Sequence, residues 1–187
     1  MKLIMLLLVF AGLTSRVNGE VIEDVDFQYY QISARTPGEV SSAIGKASGS
    51  VLWTGFTRWK IDRWYGFKES GGECSPQSAK VYLSIRYKMP KLFRAYTDPA
   101  VKRTFDRYYK SLMKHEEGHA DVARMAAVDI DQMLTEISAD DCTSLKRLEN
   151  QKFQEIIREH RLLGKRYDLI TNHGRNQDRF HRGMFEK

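Results

Sequence analysis

Residues 115–119 read His-Glu-Glu-Gly-His, the pattern H-E-x-x-H, inside a segment whose apolar residues recur at helical intervals. Two histidines four positions apart lie one above the other on a helix, so both imidazoles can reach one metal ion. Neutral imidazole suits Zn²⁺, and a zinc site that performs chemistry has three protein ligands and leaves its fourth position to water. His115 and His119 are therefore predicted zinc ligands.

Glu116 follows the first histidine and is the predicted catalytic acid and base. Zinc lowers the pKa of its bound water to about 7, and a carboxylate beside that water can take its proton and pass it to a leaving amine. The alternative is two core histidines satisfied by hydrogen bonds. That alternative must also bury Glu116, and an unpaired buried carboxylate is costly.

The third ligand is not fixed by the motif. In the longer pattern H-E-x-x-H-x-x-G-x-x-H, a glycine and a histidine follow, but this chain has Val122 and Met125 there. Acids farther along the same helix cannot turn back to the metal. The remaining candidates are His160, His173 and His181, or an acid from elsewhere in the chain.

Residues 167–174 contain polar groups that suit a site. His173, followed by Gly174, is the kind of loop residue that can be aimed at another helix. Asp168 is expected to accept a hydrogen bond from a ligand imidazole and so orient it. Tyr167 is expected to donate a hydrogen bond to the oxyanion that develops in acyl transfer. The alternative is an ordinary polar turn.

Two long helices are predicted to position these residues. Asp98 can cap the first helix, with Pro99 in its first turn, and the apolar pattern continues to about Ile137. The second helix is predicted from Asp141 to about residue 163, where Gly164 is a stop signal. Residues 167–174 would then follow the helix as a loop.

The first half of the chain predicts a sheet. Strands are expected at residues 27–33, at 51–67 as two strands with a bend near Asp62, and at 81–89, ending at Pro90. A short helix is expected at 37–46, and an exposed connection contains Gly71-Gly72 and Ser75-Pro76. The predicted fold class is α+β, a small mostly antiparallel sheet packed on two long helices in a zincin-like arrangement.

The start of the chain predicts export. Residues 1–19 have the charged start, short apolar core and small-residue end of a signal peptide, so residues 20–187 are expected to form a single exported domain, periplasmic or secreted. The apolar run is too short to span a bilayer, which makes a retained anchor the weaker alternative. Basic residues alternate with acids and form no stripe, so no nucleic-acid partner is expected.

The chain contains two cysteines, Cys74 and Cys142. An even pair in an oxidising compartment predicts a disulfide. Neither cysteine belongs to a C-x-x-C pair, so the two thiols would make a poor zinc site.

Several segments together resemble a bacterial family of predicted secreted Zn-dependent proteases, catalogued as domain of unknown function 922. Besides the metal motif and the cysteines, the similar pieces are Tyr30-x-Ile32-x-x-x-Thr36, Gly55-x-Thr57-x-Trp59 and Tyr167-Asp168-x-x-Thr171-x-His173-Gly174. Ala34 departs from the glycine expected in the first of these pieces.

The resemblance implies that His115 and His119 bind zinc, that Glu116 is the catalytic acid and base, and that His173 is the third ligand. The expected function is hydrolysis of peptide bonds in a peptide or protein substrate, through a Zn-bound water activated by Glu116. Two alternatives stay open, a zinc-dependent hydrolase of a cell-wall or other amide and a non-catalytic binding module of the cell envelope.

Overall fold

The computed structural model describes residues 19–49, 54–93 and 97–176. The predicted signal peptide therefore lies outside the described residues except for Gly19, and so does His181. The elements in chain order are β1 (Val21–Ile32), a 3-10 turn (Pro37–Glu39), α1 (Val40–Ser48), β2 (Phe56–Ser70), β3 (Glu73–Leu92), α2 (Pro99–Glu136) and α3 (Cys142–Thr171). The α+β class is as predicted.

The sheet has three strands in the order β1-β3-β2. β2 and β3 form an antiparallel hairpin whose turn, Gly71-Gly72, has positive φ at both residues, a conformation that glycine adopts without strain. β1 pairs with the other side of β3 in parallel. The sheet is thus mixed, and the prediction of a mostly antiparallel sheet was wrong, because alternation within a strand identifies its faces but not its neighbours.

β2 is one strand, so the prediction of two strands with a bend near Asp62 was wrong. Asp62 pairs in register with Tyr82, and the register shifts only between Gly66 and Phe67. Alternate residues of β2 lie on the face of the sheet that packs on the helices; they are Thr57, Trp59, Ile61, Arg63 and Tyr65. The other aromatic residues of β2, Phe56, Trp64 and Phe67, are exposed.

β3 is longer than predicted and contains both Pro76 and Pro90. Pro76 pairs with β2 at a point that β1 does not reach, and Pro90 pairs with β1 beyond the last residue pair that β2 forms. A proline cannot donate a backbone hydrogen bond, and at both positions β3 has a neighbour on one side only. The predictions that Ser75-Pro76 is a connection and that the strand ends at Pro90 were therefore wrong.

The main core lies between β3 and α2. The buried residues of β3 alternate as predicted: Val81, Leu83, Ile85, Tyr87 and Met89. They share a core cluster with small residues of α2, namely Ala120, Ala123, Ala126 and Ala127. Because alanine side chains are small, the backbone of α2 approaches the sheet closely along this face. The preceding turn of α2, which carries His115 and His119, therefore lies beside the start of β2.

The helices begin as predicted, but the second one ends later. Asp98 caps α2 by accepting a hydrogen bond from the Ala100 N–H, and Asp141 caps α3 by accepting from Thr143 and Ser144. α3 continues through Gly164 to Thr171 and ends at Asn172, which has left-handed backbone angles. The predicted stop at Gly164 was wrong, and residues 167–171 are the last turn of a helix rather than a loop.

The disulfide Cys74–Cys142 is present and ties β3 to the first residue of α3, as predicted. Cys74 also exchanges two backbone hydrogen bonds with Ala139, in the connection between α2 and α3. Among the residues that the structure describes, no helix is both long enough and apolar enough to cross a bilayer.

Candidate metal centre

Three side chains of kinds that can bind a metal ion, called here the candidate metal-binding group, converge where the middle of α2 meets the end of α3. His115 and His119 come from successive turns of α2, and Asp168 comes from the last turns of α3. The Asp168 Oδ1 atom lies 3.2 Å from His115 Nε2 and 2.9 Å from His119 Nε2. Within the described residues, this is the group of three donors that can hold one metal ion, with all donor atoms within 4.8 Å of one another.

The hydrogen bonds around His115 indicate which of its nitrogens faces this group. The Thr171 hydroxyl donates to the Tyr167 carbonyl oxygen at 2.8 Å and lies 3.4 Å from His115 Nδ1. Because the hydroxyl proton is used in the first bond, Thr171 acts as an acceptor for an Nδ1 proton. Nε2 of His115 then presents a lone pair to the carboxylate of Asp168.

The donor set suits a zinc ion. The lone pair of His115 Nε2 and the Asp168 carboxylate lie 3.2 Å apart and repel each other unless positive charge lies between them. A single cation there would also lie beside His119 Nε2, which is 2.9 Å from the same carboxylate oxygen. Tetrahedral zinc, with ligand distances near 2.0–2.1 Å, separates its donor atoms by about 3.3 Å. Two imidazoles and one carboxylate are three protein ligands, which leaves a fourth position open.

Asp168 carries its negative charge at neutral pH. Burial acts to raise the pKa of its carboxyl group, but the imidazoles of His115 and His119 beside it outweigh burial and hold the pKa well below its usual range. An ionised carboxylate is the form that binds a cation.

Glu116 is buried next to this group, with 4 % of its surface exposed. The Thr57 hydroxyl, from β2, donates to Glu116 Oε2 at 2.6 Å. Burial raises the pKa of Glu116, and the hydrogen bond from Thr57 and the two histidines oppose that rise. A Cβ atom on Gly55 would lie 2.7 Å from Glu116 Oε1, so a glycine is required for the chain to pass this carboxylate so closely.

Tyr167 packs α3 against the turn of α2 that carries His115. Its ring stacks on the ring of His115, with centroids 5.0 Å apart, and its hydroxyl donates to the His115 carbonyl oxygen at 3.0 Å. The side chain is almost fully buried. A Cβ atom on Gly118 would lie 2.2 Å from the Tyr167 hydroxyl oxygen, so the glycine inside the motif makes room for Tyr167. The Tyr167 hydroxyl, which was expected to donate to a developing oxyanion, thus donates to a backbone carbonyl, and its role towards a substrate stays a prediction.

His173 lies beside the group but farther from its centre. Its Nδ1 atom is 3.7 Å from Asp168 Oδ1, and its backbone N–H donates to the Asp168 carbonyl oxygen at 2.9 Å. The three donors that lie within 4.8 Å of one another thus include Asp168, which was expected to orient an imidazole, and not His173, which was the predicted third ligand. The assignment of the third ligand stays a prediction, and the geometry favours Asp168.

His160, another candidate ligand, makes polar contacts with a backbone carbonyl of α3 and a carboxylate of α2. Its Nδ1 atom lies 2.9 Å from the Ile156 carbonyl oxygen, and its Nε2 atom lies 3.3 Å from an oxygen of Asp129. It lines the same cavity as the candidate metal-binding group, but it is not one of the three convergent donors.

Two cavities meet at His115. The larger, about 360 Å³, lies between the start of β2 and α3 and is lined by Glu116, His119 and Asp168 among others. The smaller, about 220 Å³, is lined by polar groups that include Tyr108, Asn172 and Arg175. Residues that line both are Thr54, Leu112, His115 and His173, so the two cavities adjoin at His115.

Three residues of the site had no role in the sequence-based prediction: Thr57, Gly55 and Thr171. Each of them lies in a segment that carries the family resemblance, and that was the available signal. The contacts themselves join residues 59 and 56 positions apart, Thr57 with Glu116 and Thr171 with His115. Local spacing does not reveal such contacts.

The comparisons with known proteins identify a family and no activity. A family model described as "Bacterial protein of unknown function (DUF922)" matches residues 27–174, which include every residue of the candidate metal-binding group and the glycines around it. No curated protein matches the chain. No solved structure matches it.

Proposed function

The chain belongs to the DUF922 family of bacterial proteins of unknown function, and we propose that it is a zinc-dependent hydrolase that cleaves peptide bonds. One observation carries the proposal: a carboxylate oxygen lies within 3.2 Å of two imidazole nitrogens, beside a buried glutamate and at the wall of an open cleft. A structural zinc site would use four protein ligands, whereas three leave a position for chemistry.

In this proposal His115, His119 and Asp168 hold the zinc ion. When bound, zinc supplies a Lewis acid that polarises a carbonyl oxygen and lowers the pKa of a coordinated water. Thr171, acting on Nδ1 of His115, sets the tautomer and the ring orientation of that ligand, as hydrogen bonds to metal-binding histidines commonly do.

Glu116 moves the proton. Thr57 occupies Oε2 of its carboxylate, so Oε1 is the oxygen that takes the proton of the attacking water and gives it to the leaving nitrogen of the substrate. Burial makes this carboxylate more basic than an exposed glutamate, which favours its work as a general base. The same burial keeps bulk water away from the proton during its transfer.

The shape of the cleft supports a chain-like substrate. Cavities extend on both sides of His115, one lined by aromatic side chains from β2 and the other by polar groups around Tyr108. A substrate that enters both cavities continues past the scissile bond in both directions. Cleavage inside a polypeptide, rather than only at its end, fits this arrangement.

Export belongs to the same proposal. The signal-like residues 1–19 predict passage out of the cytoplasm. The disulfide Cys74–Cys142 favours an oxidising compartment.

Replacement of Glu116 by Gln tests the function. The Glu116→Gln variant is expected to keep its zinc, measured by mass spectrometry of the metal, and to lose at least about 100-fold of its rate on unfolded casein. The neighbouring Glu117 provides a matched control because its carboxylate binds Arg124 and Tyr87 away from the candidate metal-binding group. The Glu117→Gln variant should keep both zinc and activity, and a Glu116→Gln variant that cleaves casein at the parent rate would disprove the mechanism.

A further inference from the structure

Two basic residues of α3 line the cavity that contains the candidate metal-binding group. Arg161 and Lys165 are one turn apart, and Asp168 follows one turn later on the same side of the helix. Both basic side chains are exposed. Gly164 lies between them and lines the cavity too, so the helix presents little bulk between the two cations.

These two positive charges have no carboxylate partner within the described part of the chain. Asp168, three positions after Lys165, lies beside His115 and His119 instead. Like charges four residues apart on a helix repel each other by a few tenths of a kcal/mol. An anionic group bound between Arg161 and Lys165 would remove that repulsion.

The opposite wall of the cavity is aromatic. Trp59, from the start of β2, lines this wall two residues after Thr57, which bonds to Glu116. A substrate residue in this cavity therefore has an apolar wall on the side of the sheet and a cationic wall on the side of α3. This combination fits an acidic residue with a methylene stem, whose carboxylate reaches the guanidinium and ammonium groups.

We propose that Arg161 and Lys165 select peptide substrates that carry a glutamate or aspartate side chain close to the scissile bond. The inference rests on the proposed peptidase function and adds to it the chemical class of the substrate. The Arg161 guanidinium can bind a carboxylate through two parallel hydrogen bonds, and Lys165 adds a second charge. Arg161 and Lys165 act here as specificity residues and take no part in the chemical step.

A set of internally quenched octapeptides tests the inference. Each peptide contains one central Phe-Leu pair, and Glu, Gln or Lys is placed in turn at each of the three positions on either side. With the zinc-loaded protein, at least one Glu peptide is expected to have a kcat/KM about five- to tenfold higher than that of its Gln counterpart, and the Lys peptide is expected to be the poorest. High salt should reduce the ratio.

The variants separate a specific contact from general charge. In Arg161→Gln/Lys165→Gln the Glu-to-Gln ratio should fall to about one. Arg158→Gln/Arg166→Gln removes the same charge from exposed positions of α3 that do not line the cavity, and it should keep the ratio of the parent. A parent ratio near one, or a ratio that survives in the Arg161/Lys165 variant, would overturn the inference while leaving the peptidase function intact.

Binding distinguishes failure of the inference from failure of the proposed function. Fluorescein-labelled Glu and Gln forms of the same peptides are titrated with the zinc-loaded Glu116→Gln variant, and anisotropy reports binding. If the parent cleaves no peptide but this variant binds the Glu form more tightly through Arg161 and Lys165, the proposed peptidase function is refuted. Binding of an acidic ligand by Arg161 and Lys165 is then still supported. Absence of both cleavage and binding would overturn the inference.

Discussion

Gly118 lies between His115 and His119, the histidines of the proposed metal centre, and Tyr167 packs into the space that a larger side chain at position 118 would fill. An added Cβ atom would meet the Tyr167 hydroxyl oxygen at 2.2 Å and the ring carbon that bears it at 2.3 Å. We expect Gly118→Ala to reduce the free energy of unfolding by about 2–3 kcal/mol. Zinc retention after dialysis should also fall, because Asp168 moves together with Tyr167. Urea titration and metal analysis measure the two effects.

Gly164 provides the control for this substitution. It is also a glycine inside a long helix, but an added Cβ atom would make an ordinary contact, 3.7 Å from His119 Nδ1. Alanine at this position should raise helix propensity, so Gly164→Ala is expected to be neutral or stabilising by up to about 1 kcal/mol. Equal stability of the two variants would show that Gly118 is not needed for the approach of Tyr167.

Thr57 is the side chain that fixes the proposed catalytic base. Its hydroxyl donates to Glu116 Oε2 at 2.6 Å, and a hydrogen bond to a charged group contributes about 1.5–3 kcal/mol. Thr57→Val, which keeps the shape and removes the hydroxyl, should lower kcat about 10- to 100-fold and leave zinc content unchanged. Thr57→Ser should retain most of the rate. Loss of rate in both variants would assign the effect to packing of the methyl group instead.

At the scale of elements, the sequence predicted where helices begin better than where they end. Asp98-Pro99 and Asp141 are local signals, and both caps formed. Gly164 is also a local signal, but the helix continues because its next two turns bury Tyr167 and Thr171 against the turn of His115. That gain exceeds the roughly 1 kcal/mol that a glycine costs inside a helix. The true end is at Asn172, where the backbone turns left-handed.

The site, like the helices, was predictable where local sequence determines it and not where long-range packing does. His115, Glu116 and His119 could be singled out because their spacing on one helix carries the information. Placement of Asp168 in the group depends on the extension of α3, and the Thr57 contact depends on a pairing between β2 and α2. Long-range packing determines both, so a sequence pattern alone assigned neither.

The disulfide joins the start of β3 to the start of α3, whereas the proposed metal centre lies near the other end of α3. Cys74 and Cys142 are 68 residues apart in sequence, and a closed loop of this length restricts the unfolded chain by about 4 kcal/mol in the entropy model. The Cys74→Ala/Cys142→Ala variant should lose about that much free energy of unfolding and still bind zinc when folded. Unchanged stability in urea would mean that the unfolded chain is already compact without the bridge.

At the scale of the whole molecule, the proposed zinc ion joins two helices that otherwise meet through side-chain packing. Ligands from α2 and α3 come together only in the folded chain, so zinc binds the folded state and stabilises it by mass action. With free zinc at about 1,000 times its dissociation constant, the gain is about 4 kcal/mol. The Tm of the metal-free protein should therefore rise by about 10 °C when zinc is added, as measured by scanning calorimetry.

Two alanine variants decide which side chain completes the ligand set. Asp168 Oδ1 lies within 3.2 Å of both imidazoles, whereas His173 Nδ1 lies 3.7 Å from that oxygen. Asp168→Ala should abolish the zinc-dependent rise in Tm, and His173→Ala should keep most of it. The opposite result would make His173 the third ligand and Asp168 its hydrogen-bond acceptor. A parent protein whose Tm is the same with zinc and with chelator would refute the metal centre and the hydrolase together, because the proposed mechanism depends on zinc to polarise the substrate carbonyl.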